Sequence, residues 1–133
     1  MRFVDTNVFV RYLTNDVPEK ADECERIFKK AVDRKDSLFI TQMVVAEIVW
    51  VLESYYELPN EEVRDKVEKI LNTPNLFCPQ KDLMLAALSL YVDKDIDFIE
   101  AYNALVLKHE GIREVYSYDA HYDRIDWLER IEP

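Results

Sequence analysis

Residues 1–13 read MRFVDTNVFVRYL, and the acid at position 5 decides how the rest of the chain is read. Phe3 and Val4 are the apolar end of a short strand, Asp5-Thr6-Asn7 interrupts it, and a helical pattern resumes at Val8. Open parallel sheets bind their ligands outside the carboxyl ends of their strands, so a carboxylate at such an end marks a candidate site.

Working outward, strand and helix patterns alternate to the C-terminus. "NVFVRYLTND" predicts a short helix, and Pro18 predicts the first position of a second one running to about Lys35, with Ala21, Cys24, Ile27, Phe28, Ala31 and Val32 as its apolar stripe. "SLFIT" (37–41) is a strand, and Thr41 caps a helix with Val44, Val45, Ile48, Val51, Leu52 and Tyr55 at helical spacing. A helix after "LPNEE" turns Val63, Val67, Ile70 and Leu71 inward, and "NLFCP" (75–79) is a third strand. A helical stretch near 80–93 precedes "DIDFIEAYNALVLKHEGI", where Phe98, Ala101, Tyr102, Leu105 and Val106 share a face and Gly111 suits a left-handed C-terminal cap. "REVYSYD" reads as a strand ending on Asp119, and "DWLERIEP" as a short edge strand. Strands alternating with helices imply an α/β fold whose parallel sheet is covered on both faces by right-handed crossovers.

Composition bounds the function. A chain of 133 residues, 49% hydrophobic and 33% charged, is expected to form one domain, residues 1–133, with a full core. Apolar windows such as "MVVAEIVWVL" are shorter than the roughly 20 residues of a membrane span, and no signal-peptide pattern opens the chain, so a cytoplasmic location is expected. Cys24 and Cys78 stand apart without a CxxC and read as reduced thiols. Gly111 is the single glycine, which excludes the glycine-rich phosphate loops of Walker and dinucleotide-binding sites. A net charge of -10 argues against bulk electrostatic binding of nucleic acid and favours a basic protein partner or a site that concentrates cations.

The acids supply such a site. Asp5 and Asp119 both sit at predicted strand ends; Glu47 lies beside Val51 at the edge of an apolar stripe, a costly place for an unpaired charge. Asp97 and Glu100, three apart, open the later helix and point at one end of the sheet. Structural readings stand beside these: Asp97-x-x-Glu100 is also a capping box, Asp5 and Asp119 also suit turns or helix caps, and Glu47 also suits a salt bridge or an exposed position. Gathered carboxylates repel one another, and a hard divalent cation, magnesium or manganese, is the usual remedy. Such a cation supports phosphoryl chemistry, whereas His109 and His121 have no triad spacing.

"FVDTNVFVRYL" (3–13), "VAEIVWVL" (45–52), "DFIEAYNALVLKHEG" (97–111) and "VYSYDAHYDRI" (115–125) resemble, in order and over the whole length, the blocks of PIN-domain ribonucleases. The resemblance implies a three-layer α/β/α Rossmann-like PIN domain with a central parallel sheet of about five strands. It implies Mg2+- or Mn2+-dependent endoribonuclease activity on RNA, commonly as the toxin of a VapBC-type toxin–antitoxin pair, together with homodimerisation and a cognate antitoxin whose basic segment crosses the site. By position, Asp5, Glu47, Glu100 and Asp119 are the catalytic and metal-binding acids, Asp97 matches the frequent acid one turn earlier, and Thr6 and Asn7 match polar residues that hold a carboxylate or water. Two positions depart: Glu100 replaces a shorter Asp, and His121 stands where relatives often carry an acid, either as a neutral imidazole able to ligate manganese or as an exposed turn histidine. Arg11, Arg26, Lys29, Lys30, Arg34 and Lys35 suit either a phosphate track or the dipole at a helix C-terminus.

Two other classes compete. A non-catalytic PIN-like binding domain predicts weak metal binding and no cleavage. A haloacid-dehalogenase-type phosphatase also starts from an Asp after strand one but wants a second Asp where Asn7 stands. Receiver domains need a phosphoacceptor on a middle strand, and "NLFCP" offers none.

Overall fold

Two short crossovers, each built of two helices, set the geometry of the N-terminal part of the computed structural model, which describes residues 1–133. Strands β1 (Arg2–Phe3), β2 (Leu38–Phe39) and β3 (Leu76–Phe77) are parallel in the order β1-β2-β3, with Arg2 opposite Leu38 and Leu38 opposite Leu76. Val4 N–H donates to Phe39 O at 3.0 Å and Ile40 N–H to Phe77 O at 2.9 Å, so the ladder runs one residue past the strands. That extension buries Val4 and Ile40 and brings the chain to Asp5 at the strand's carboxyl end.

Helices α1 (Thr6–Thr14) and α2 (Pro18–Val32) join β1 to β2; α3 (Gln42–Ser54) and α4 (Asn60–Leu71) join β2 to β3. Pro18 occupies the first turn of α2, and the Thr41 hydroxyl caps α3 by accepting Val44 N–H at 3.2 Å. Glu61 and Glu62 in the first turn of α4 and Lys69 in its last complement the helix dipole. α2 ends at Val32, short of the expected end near Lys35, and Ile27 and Val32 are exposed while Ala21, Cys24, Phe28 and Ala31 of the same stripe are buried.

The chain divides into two compact units, Met1–Lys81 and Asp82–Pro133. The second carries α5 (Lys81–Asp93) from Asp82 onward, α6 (Phe98–Glu110), β4 (Glu114–Tyr116), a 3-10 turn (Ala120–Arg124) and β5 (Glu129–Ile131), with β4 and β5 parallel. The five expected strands are therefore present, all in parallel pairings, three in one sheet and two in another. Met84, Ala87, Leu88, Phe98, Ala101, Ala104 and Ile125 form this unit's core. The Trp127 indole N–H donates to Ala104 O at 2.9 Å, while Lys108 Nζ stands 4.5 Å from the Trp127 ring centroid, tying the tail to α6. Gly111 closes α6 at φ 74°, the left-handed conformation that disfavours a Cβ. No helix is long and apolar enough to cross a membrane.

Candidate metal centre

The second unit gathers its acids at the N-terminus of α6. Asp97 caps that helix, and Glu100 Oε1 accepts the Asp97 backbone N–H at 3.2 Å, so the capping box is formed. The same box turns Glu100 toward the core: it is 7% exposed, between the buried Phe98 and Ala101.

Asp119 arrives from β4. That strand stops at Tyr116, sooner than the sequence suggested, because Ser117 takes up the turn: its backbone N–H still reaches Ile131 O at 3.1 Å while its hydroxyl accepts Asp119 N–H at 2.9 Å. Asp119 then caps the 3-10 turn by accepting His121 N–H at 2.9 Å. Ser117 is a positioning residue that the sequence reading passed over; a hydroxyl two residues before an acid at a strand exit is the signal of a serine turn.

His121 completes the group. Its Nδ1 lies 2.9 Å from Glu100 Oε1 and 3.5 Å from Asp119 Oδ1. One ligand atom from each of Asp97, Glu100, Asp119 and His121 falls within 4.8 Å of the others. Burial pushes the Glu100 carboxyl above the usual carboxylate range, with the His121 contact opposing it. The hydrogen bond to Glu100 raises the His121 imidazole, and the His121 backbone N–H holds Asp119 below its ordinary value.

One atom is left over. Glu100 Oε2 is buried and has no hydrogen-bond partner. An unsatisfied buried oxygen costs about 1–3 kcal/mol, and the two neighbouring carboxylates, Asp97 and Asp119, add repulsion. A divalent cation removes both penalties, and oxygen donors suit magnesium or manganese. The residues present therefore fit a bound metal.

The other expected site residues belong to the first unit. Asp5 caps α1, its Oδ1 accepting Thr6 N–H at 2.8 Å; Thr6 is buried, and Asp5 and Asn7 are exposed. Glu47 is exposed on α3, so the cost inferred from its place beside Val51 does not arise. Arg11 is paired with Asp16 at 3.2 Å, and Arg26, Lys29, Lys30, Arg34 and Lys35 are exposed around the C-terminus of α2.

A family model described as the PIN domain matches residues 2–128. The chain is 27% identical over 125 residues to a VapC ribonuclease of Aquifex aeolicus (strain VF5), covering 94% of this chain and 92% of that protein. Among solved structures it is similar to VapC20 of Mycobacterium tuberculosis, described as a sarcin-ricin loop cleaving toxin, with a TM-score of 0.42, 16% identity and coverage of 96% of this chain and 92% of that one.

Proposed function

The chain belongs to the PIN-domain family, and from that premise we propose that it is a metal-dependent endoribonuclease, the toxin of a toxin–antitoxin pair. The observation that carries this reading is the unpartnered, buried Glu100 Oε2 among Asp97, Asp119 and His121. Asp97, Glu100 and Asp119 would hold the ion, magnesium or manganese. Such an ion supplies an acidified water and neutralises charge on the phosphodiester. The chain's part is orientation: the capping box fixes Glu100 and the Ser117–Asp119 turn fixes Asp119, so neither carboxylate has to be ordered when RNA arrives. Asp5 and Glu47 are assigned as catalytic acids by their positions in the family's motifs, with Thr6 and Asn7 supporting Asp5. Residues 1–133 are taken as one PIN domain, supported by a family match that spans both units.

The same premise implies a homodimer, a cytoplasmic location and an antitoxin. The net charge of -10 supports an antitoxin with a basic segment, whose Arg or Lys side chains would pair with the carboxylates.

Cleavage of a mixed structured RNA by the purified protein in EDTA, magnesium or manganese, beside Asp5→Asn, tests the reading. Asn caps a helix as well as Asp, so the variant keeps its fold. Cutting that needs metal and disappears in the variant is expected; a variant that cuts like its parent removes Asp5 from the site.

The contact of His121 with Glu100 favours one other reading, a non-catalytic PIN-like binding domain in which the imidazole stands where a cation would. A folded parent that cuts no RNA with either metal would select it, and Glu100→Asp would then be the informative rescue.

A further inference from the structure

The donor set at α6 is not all oxygen, and we infer that His121 is itself a metal ligand that biases the site toward Mn2+ and the later first-row ions over Mg2+. This rests on the metal-dependent reading above and names the ion class of the same site.

The imidazole is built into the cluster rather than lying beside it. Its Nδ1 is the ring atom that faces inward, 2.9 Å from Glu100 Oε1 and 3.5 Å from Asp119 Oδ1. With metal–ligand distances of about 2.1 Å, neighbouring positions of an octahedron stand about 3 Å apart, so both separations suit adjacent ligands. The backbone holds the ring there: His121 N–H is bound to Asp119 Oδ1, so acid and imidazole are presented by one turn. The independent sign that a ligand belongs here is Glu100 Oε2, which lies on a residue 7% exposed and has no partner.

The chemistry follows from the donor types. Mg2+ dehydrates reluctantly and prefers carboxylates and water, whereas imidazole is a good ligand for first-row transition ions. Mn2+ accepts the three carboxylates as readily as Mg2+ does and gains the nitrogen as well. Each carboxylate thus serves both ions, and His121 separates them.

The test uses the full chain and needs no RNA. Mn2+ is titrated into the purified protein, free ion is read by electron paramagnetic resonance, Mg2+ is used as competitor, and pulsed spectra of the bound ion are examined for coupling to 14N. Expected are nitrogen coupling in the parent, its loss in His121→Asp and His121→Asn, and about a tenfold or greater fall in the Mn2+-over-Mg2+ preference in His121→Asp. The parent's spectrum needs no variant, so misfolding of either substitution does not blunt the test. Bound Mn2+ without nitrogen coupling, or a preference unchanged in folded His121→Asp, overturns the inference; if metal-dependent cleavage persists in that case, the proposed function stands. A parent that binds no Mn2+ and cuts no RNA overturns both.

Discussion

Glu100 carries two duties that pull against each other. Oε1 closes the capping box and meets His121, which stabilises the helix start, while Oε2 is buried without a partner. Glu100→Gln keeps an acceptor for the Asp97 amide and places an NH2 donor among the neighbouring acid oxygens. The metal-free variant is therefore expected to be at least as stable as the parent. Stabilisation by added Mn2+, which follows the ratio of ion concentration to dissociation constant, should shrink as affinity falls about tenfold or more. Thermal unfolding of both proteins in EDTA and in Mn2+ checks this, and an undiminished Mn2+ shift in the variant would remove Glu100 from the ligands. The capping-box reading and the site reading of Asp97-x-x-Glu100 thus describe the same residues through different oxygens. Sequence spacing supplied both, and the burial of Oε2 joins them.

At the level of elements, the first unit ties the end of α1 to the segment after α3 through Asp16. Its carboxylate accepts from the Tyr56 hydroxyl at 2.7 Å, from Thr14 Oγ1 at 3.2 Å and from Arg11 at 3.2 Å. The Tyr56 hydrogen bond, opposed by burial and helped by Arg11 and Thr14, holds Asp16 below the usual carboxylate range. A lowered acid contributes stability above its unfolded value of about 3.9 and loses it as pH falls through the folded value. Tyr56→Phe should accordingly unfold at lower urea than the parent near neutral pH, and the gap should narrow as the solution is acidified below about pH 4. A gap that is constant down to strongly acidic pH would mean that the tyrosine acts by packing alone. Helix patterns were legible where the packing neighbours cover the whole stripe: Val63, Val67, Ile70 and Leu71 of α4, which packs on α3 and β3, are all buried, as their spacing predicts. They failed where burial depends on what a neighbour covers. Tyr55, placed inward by periodicity, is 76% exposed, and Val49, left out of the stripe, is buried.

For the whole molecule, charge and family membership lead to assembly. A PIN domain of this type is expected to sediment at about twice the 15.8 kDa chain mass, and a monomer mass independent of concentration would refute the homodimer. Raising salt should leave that dimer intact if its interface is apolar, yet weaken capture of a basic antitoxin peptide, since exposed charge pairs are screened beyond about 10 Å at 0.1 M.

The sequence by itself determined the α/β class, the order of five strands and six helices, the left-handed cap at Gly111 and the acids worth watching, because turn chemistry, caps and apolar periods are local properties. Only tertiary structure decided which polar atoms are left without partners. His121 is five residues past the end of β4 and 21 from Glu100 in the chain, yet its ring meets that carboxylate at 2.9 Å. No period encodes such a meeting. It depends on the Ser117–Asp119 turn, the short 3-10 segment and the packing of Tyr122 and Ile125, and it is this convergence, rather than any one acid, that assembles the candidate metal centre.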